Sequence, residues 1–368
     1  MKVIDADAHV EEAVAMWDCL DPEFRHRRPI PITIPEGTSY GPLNATWLIE
    51  GESHPKILGP GATFGATPAT SVLARSKSFS IGAQELTDVQ SRLTDMDNMG
   101  IQQQVVFPTL FLGPVSHDNQ LEKALCKAYN RFVSQACSRS EGRISFAAVV
   151  PWKDTADAIE VVTEAKGLGA VGVMIPGFMW NRPLGHPSLW PFYDALCRQD
   201  IPLIIHFGWG APNINDMCED VIHGEFVSGA APVILGFYSL VMTGTLDKFP
   251  NLKVALLEAG SGWLPYLVQQ MERRYKEGGA FYKAVKRPPS EIVRSGKVYV
   301  ACEADEDIRY VLEYIGEDQL VMASDYPHED ASHENSMVHA LRENPGVNEA
   351  ILNKILGDNP QRLYNLPN

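Results

Sequence analysis

The chain has 368 residues, 45% hydrophobic and 21% charged, with a formal charge of −15 from 31 basic and 46 acidic side chains. Such usage belongs to a globular protein with a sizeable core and excludes a disordered or fibrous chain. The acidic excess argues against nucleic acid or an anionic membrane as partner, since both favour a basic face.

Six cysteines (Cys19, Cys126, Cys137, Cys197, Cys218 and Cys302) are widely spaced, with no CxxC. They suit reduced thiols in a cytoplasmic protein better than a disulfide framework. No charged n-region and apolar h-region precede the first strand, and no apolar run is read as reaching membrane-spanning length. A soluble cytoplasmic protein is the expectation.

Residues Val3 to His9 read as a strand, on which Ile4, Ala6 and Ala8 share one face and Asp5, Asp7 and His9 the other. Ionisable groups on one face of an apolar strand are costly to bury unless paired, and a divalent cation pairs carboxylate and neutral imidazole well. From about Trp17 to Ser80 the chain is rich in Pro and Gly, with Ile30–Ile34 and Trp47–Ile49 as candidate hairpin strands. This stretch reads as an insertion within a single domain spanning 1–368. Because it leaves the end of strand one, residues 17–80 are expected to cover the active-site mouth. Tyr40, Trp47 and Arg75 are its candidate exposed contacts for substrate.

A helix over Glu85–Met99, ended by Gly100, opens a regular alternation. Strands are expected at Gln103–Pro108, Ser145–Pro151, Ala170–Ile175, Pro202–Phe207, Lys253–Glu258, Val298–Cys302 and Gln319–Ser324. Helices are expected at Leu121–Glu141, Thr155–Lys166, Leu189–Gln199, Phe237–Leu246, Leu264–Tyr275, Ile308–Ile315 and about Asn348–Leu356. Near-continuous apolar strands alternating with helices imply a parallel sheet covered on both faces. Eight such strands predict a closed (β/α)8 TIM barrel with a small irregular or β insertion after strand one. No GxGxxG follows a strand, which disfavours a dinucleotide fold.

In a barrel of this kind the chemistry sits at the C-terminal ends of the strands. Strand one ends Asp7-Ala8-His9, strand five in His206, strand six in Glu258, and strand eight in Asp325, followed by Tyr326-Pro327-His328. A lone His or Asp there is ordinarily a satisfied core histidine or a helix cap. Four such strand ends at one end of one barrel predict a metal site of Asp7, His9, His206, Glu258 and Asp325.

These residues resemble the amidohydrolase superfamily, in its amidohydrolase-related branch with aminocarboxymuconate semialdehyde decarboxylase. The resemblance runs through Arg92-Leu93-Thr94-Asp95-Met96-Asp97-Asn98-Met99-Gly100, the Phe249–Lys253 lead into strand six, the Glu258–Tyr266 segment after it, and Ser324-Asp325-Tyr326-Pro327-His328. It implies a divalent metal, His206 and Asp325 as ligands from strands five and eight, and a homo-oligomer, expected to be a dimer. One departure stands out. The branch usually carries histidine where this chain has Glu258, and its first-strand motif often begins with histidine where this chain has Asp7. The oxygen-rich set favours Zn, Mn or Fe, and leaves room for one or two ions. Strand four ends Val173-Met174-Ile175-Pro176-Gly177, without a ligand.

Such a cation would lower the pKa of a bound water. Asp325 is then the expected general base, with Glu258 sharing the proton and His328 supporting it or orienting the substrate. Unless it is itself a ligand or protonated, a carboxylate at 258 would repel a substrate carboxylate by about 4 kcal/mol at 4 Å for an effective dielectric near 20. The expected reaction is therefore hydrolysis of a small amide, lactone, thioester or activated C–C bond. Non-oxidative decarboxylation of an aromatic or unsaturated acid is the alternative, and a non-catalytic metal-binding protein the distant one.

Trp209, Arg182, His223 and Glu303 follow strands at the active end and are candidate substrate contacts. Gly177-Phe178-Met179-Trp180 could form an apolar wall. His26, His54, His117, His186, His333 and His339 read as solvated positions.

Overall fold

The computed structural model describes residues 2–34, 45–56, 59–63, 67–69, 79–278, 281–329 and 331–367. Eight strands lie side by side in chain order, every neighbouring pair parallel. They are β1 (Ile4–Val10), β2 (Gln103–Pro108), β3 (Ile144–Val149), β4 (Gly172–Ile175), β5 (Leu203–His206), β6 (Val254–Leu257), β7 (Val298–Ala301) and β8 (Leu320–Val321). The backbone closes the ring between β1 and the segment after β8. Ala6 N–H donates to Met322 O at 3.2 Å, and Asp325 N–H to Asp7 O at 3.1 Å. The result is a (β/α)8 TIM barrel.

Strands β3 to β8 form where short, largely apolar runs lie between helices, whereas β1 carries Asp5, Asp7 and His9 and β2 begins with two glutamines. The helices cover them with periodic faces: Asn119–Cys137 buries Leu121, Ala124, Leu125, Ala128, Tyr129, Phe132 and Val133 against the barrel. Its N-cap Asp118 accepts from Gln120 N and Leu121 N. Val89–Met99 starts on an Asp88 cap and ends on Gly100 at φ +73°, the left-handed value glycine adopts without strain.

Val221–Met242 corrects one expectation. This 22-residue helical stretch is long and apolar enough, by length and composition, to cross a membrane. Half of its most apolar window is buried, with Val233, Phe237, Leu240 and Val241 in the barrel core. A core helix passes the same criterion.

Between β1 and β2, Ile30–Thr33 pairs antiparallel with Ala45–Ile49, which pairs with Glu52–His54. Trp47 is not the exposed contact expected. It is fully buried, edge-on to Trp17 at 5.7 Å, because the sheet packs on the first turn after β1. Tyr40 and Arg75 lie outside the described residues. The six cysteines are free thiols.

Candidate active site

Strand β1 carries one extra residue relative to β2 between Asp5 and Ala8. That bulge breaks the simple alternation that put Asp5 beside Asp7 and His9. Asp5 instead serves barrel closure: its carboxylate accepts from Gln104 Nε2 at 2.8 Å, Ser324 N at 2.9 Å and Ser324 Oγ at 2.5 Å. Burial nonetheless pushes the Asp5 carboxyl up to about 6.

Past the bulge, the strand ends converge as expected. His206 Nε2 lies 2.9 Å from Asp7 Oδ2 and 3.2 Å from Glu258 Oε2. His9 Nε2 lies 3.5 Å from Asp7 Oδ1, 3.7 Å from Glu258 Oε2 and 3.2 Å from Asp325 Oδ1. One ligand atom each from Asp7, His9, His206 and Glu258 falls within a 4.8 Å span; His9, Asp325 and His328 form a second such set sharing His9. Glu258 and Asp325 both have positive φ, +54° and +53°, an uncommon backbone for non-glycine residues that clusters at functional sites.

The imidazoles are set for metal. His9 Nδ1 lies 2.9 Å from Pro108 O, and His206 Nδ1 lies 2.8 Å from Phe207 O. A carbonyl can only accept, so each Nδ1 carries the proton and each Nε2 presents a lone pair. Those Nε2 atoms and Asp7 Oδ1 are buried without a hydrogen-bond partner. Leaving such groups unmet is costly, and a divalent cation meets all three at once. The donor chemistry fits: imidazole with carboxylate oxygen suits Zn, Mn or Fe. Burial and the neighbouring His328 and His206 hold His9 well below the usual histidine range, the neutral form a ligand needs. Burial also opposes charging His206, but Asp7 and Glu258 outweigh it and raise it to about 9 without a cation.

His328 sits behind Asp325. Its Nδ1 is 3.0 Å from Asp325 Oδ1, its Nε2 is 3.1 Å from Thr109 Oγ1, and its ring centroid is 4.2 Å from that of His9. A cavity of about 400 Å³ lies between the insertion and the loops after β2, β4 and β5, and Thr109, 3.1 Å from His328 Nε2, forms part of its wall. Trp180, Trp209, His54, His117 and Lys56 line it.

The other candidates separate. Trp209 lines the cavity, its Nε1 donating to Gly224 O at 3.0 Å. Arg182 is stapled to backbone, reaching Trp152 O at 2.5 Å and Met179 O at 3.2 Å. His223 is exposed, with Nδ1 3.0 Å from Asp220 Oδ1, and does not line the cavity. Glu303 lies outside the converging set, its N–H donating to Glu306 Oε2 at 3.0 Å. Trp180 joins the wall proposed for its segment. His54 and His117 also line the cavity rather than standing apart, and burial lowers His54 to about 4.

Sequence reasoning gave no role to Arg92, Thr109 or the buried pair Glu11 and Glu12. Arg92 donates to His9 O at 3.1 Å and to Gln104 Oε1 at 2.9 Å, and lies 3.7 Å over the Tyr326 ring. Tyr326 OH reaches Asp95 Oδ2 at 2.8 Å, so the 92–95 motif braces the segment carrying Asp325. A charged residue on the apolar face of Val89, Leu93 and Met96 was the available signal.

Fold and site together define an enzyme of the metal-dependent barrel class: a closed barrel whose strand ends converge on residues able to hold a divalent cation.

 The chain belongs to the amidohydrolase family, whose model matches residues 4–366. It is 24% identical over 304 residues to the gamma-resorcylate decarboxylase of Polaromonas sp. (strain JS666 / ATCC BAA-500), covering 76% of this chain and 89% of that protein. It is 23% identical over 243 residues to the 2-amino-3-carboxymuconate-6-semialdehyde decarboxylase of Dictyostelium discoideum, covering 65% and 66% respectively. Among solved structures, the 5-carboxyvanillate decarboxylase of Novosphingobium aromaticivorans DSM 12444, complexed with manganese and 4-hydroxy-3-methoxy-5-nitrobenzoic acid, superposes with a TM-score of 0.71 at 19% identity, covering 99% of this chain and 96% of that one.

Proposed function

We propose that this enzyme is a metal-dependent, non-oxidative decarboxylase of an aromatic or unsaturated carboxylic acid, with Asp7, His9, His206 and Glu258 as ligands and Asp325 at the edge of the set. The observation that carries this over hydrolysis is the place of Glu258. The expectation of hydrolysis rested on Glu258 repelling a substrate carboxylate. Its Oε2 lies 3.2 Å from His206 Nε2 and 3.7 Å from His9 Nε2, within the group of side chains able to hold a metal. A carboxylate that ligates a dication has much of its charge cancelled, and the objection loses its force. That the two relatives named above are decarboxylases supports the same choice.

When bound, the cation supplies Lewis-acid stabilisation of negative charge on substrate oxygens. The chain's own groups do the rest. Trp180 and Trp209 offer apolar walls to an unsaturated ring or chain. Asp325 and His328, 3.0 Å apart, hold and move a proton between Oδ1 and Nδ1. As the bond to the carboxyl carbon breaks, its electron pair stays on the substrate carbon, which takes a proton from Asp325, and CO2 leaves.

The test is a panel of hydroxylated benzoates and unsaturated acids beside esters, thioesters and amides, followed by CO2 release and by ¹⁸O uptake from labelled water. CO2 from an acid supports the proposal. Label in a product acid, without CO2 from any of them, restores hydrolysis.

A further inference from the structure

A run of buried hydrogen bonds joins the inserted sheet to His328. Trp47 Nε1 donates to Thr67 Oγ1 at 3.2 Å, and the Thr67 hydroxyl donates to Glu12 Oε2 at 3.1 Å. The Glu12 carboxylate also accepts from Thr109 N at 3.1 Å on Oε1 and from Leu110 N at 2.8 Å on Oε2. Trp47, Thr67, Glu12 and Thr109 are all at most 1% exposed. Beyond them, the Thr109 hydroxyl donates to Val10 O at 3.2 Å and meets His328 Nε2 at 3.1 Å.

The direction of that last bond depends on where the single threonine proton goes. We assign it to the Val10 carbonyl, which can only accept, whereas an imidazole nitrogen can accept or donate. What Thr109 offers His328 is a lone pair. Nε2 must then be the donor, which leaves Nδ1 facing Asp325 Oδ1 at 3.0 Å, whichever of the two holds the proton between them.

We propose that Glu12 and Thr109 are positioning residues: Glu12 anchors the Thr109 backbone, and the Thr109 hydroxyl keeps His328 donating at Nε2 so that Nδ1 stays on Asp325. Through Thr67 and Trp47 the inserted sheet is tied to the same anchor. The inference rests on the reading of Asp325 and His328 as the proton-handling pair. Glutamine cannot replace Glu12 neutrally. Two backbone N–H groups approach different oxygens, so one would face the amide NH2.

The test compares Thr109→Val, nearly isosteric without the hydroxyl, with Thr109→Ser, which keeps it. In zinc-loaded protein the His328 imidazole is followed by ¹⁵N NMR, its signals assigned by their loss in His328→Asn. Wild type and Thr109→Ser should show protonated Nε2, whereas Thr109→Val and Glu12→Gln should change the Nε2 signal. With a turned-over acid, Thr109→Val should lower kcat by about 10-fold or more, the scale of losing a supporting partner, with KM and metal content little changed. Thr109→Ser should recover most of that loss. An unchanged His328 spectrum in Thr109→Val, or a Thr109→Ser as impaired as Thr109→Val, overturns the proposal. Should Glu12→Gln fail to fold, the Val and Ser pair decides alone. The spectrum is read without substrate, so a shifted Nε2 signal in a protein that decarboxylates nothing would sink the proposed reaction and leave the positioning role standing.

Discussion

His206 Nε2 and Glu258 Oε2 meet at 3.2 Å, bringing the ends of the fifth and sixth barrel strands onto one point. Asp7 Oδ2 approaches the same nitrogen at 2.9 Å from the first strand. Three strand ends separated by long stretches of chain come together because the barrel sets their ends in a ring. A cation at their centre would convert mutual carboxylate repulsion into coordination.

His206→Ala and Asp7→Asn should each lower metal affinity by more than the roughly 10–100-fold typical of outer partners, with the barrel intact. Metal analysis after dialysis, alongside circular dichroism, reads both. Full metal content in His206→Ala would remove His206 from the ligand set.

The metal-free protein should lose stability as pH rises from about 4.5 to 8. Burial raises Glu11 to about 8 and Glu12 to about 7. A carboxyl whose folded pKa lies above its unfolded value binds its proton more tightly when folded. It is therefore not penalised below the unfolded pKa, and it destabilises increasingly as pH climbs toward the folded pKa. Thermal melts across that range should fall in Tm, and Glu11→Gln should flatten the slope. A Tm that rises throughout the window would contradict this assignment.

Trp47→Ala should cost about 3–5 kcal/mol, the range for truncating a buried large aromatic, and lower Tm accordingly. His117→Ala, at the cavity and largely exposed, should leave Tm nearly unchanged and shift KM instead. The contrast separates an insertion residue that holds the fold from a residue on the loop after β2 that faces the cavity. Equal effects on Tm would erase that division.

The barrel was legible because most of its strands are largely apolar runs bounded by helices with recognisable caps, such as Asp118 and Gly100. The converging residues were legible because a barrel strand places its last residues on the functional face, so position along the strand was enough. What escaped were properties set by distant partners. Trp47 looks like an exposed loop aromatic until Trp17 is packed against it. Asp5 looks equivalent to Asp7 until the bulge sends it to Ser324 and Gln104. Thr109 carries no signal in a strand-to-loop junction, because its meaning comes from Glu12, Val10 and His328. Glu258 falls within the converging set, but a sequence cannot say whether a carboxylate there faces the substrate or a metal, and the choice between hydrolysis and decarboxylation turns on that.

The most direct measurement is deuterium placement in the product. The manganese-loaded enzyme is incubated in D2O with whichever acid it turns over, and the product is read by NMR and mass spectrometry. Proton delivery from the Asp325–His328 pair predicts one deuterium at the carbon that lost CO2 in the wild type. It also predicts a loss of turnover of about 100-fold or more in Asp325→Asn, the scale of removing a positioned acid. Product without deuterium at that carbon, or an Asp325→Asn enzyme running at the wild-type rate, would contradict the account.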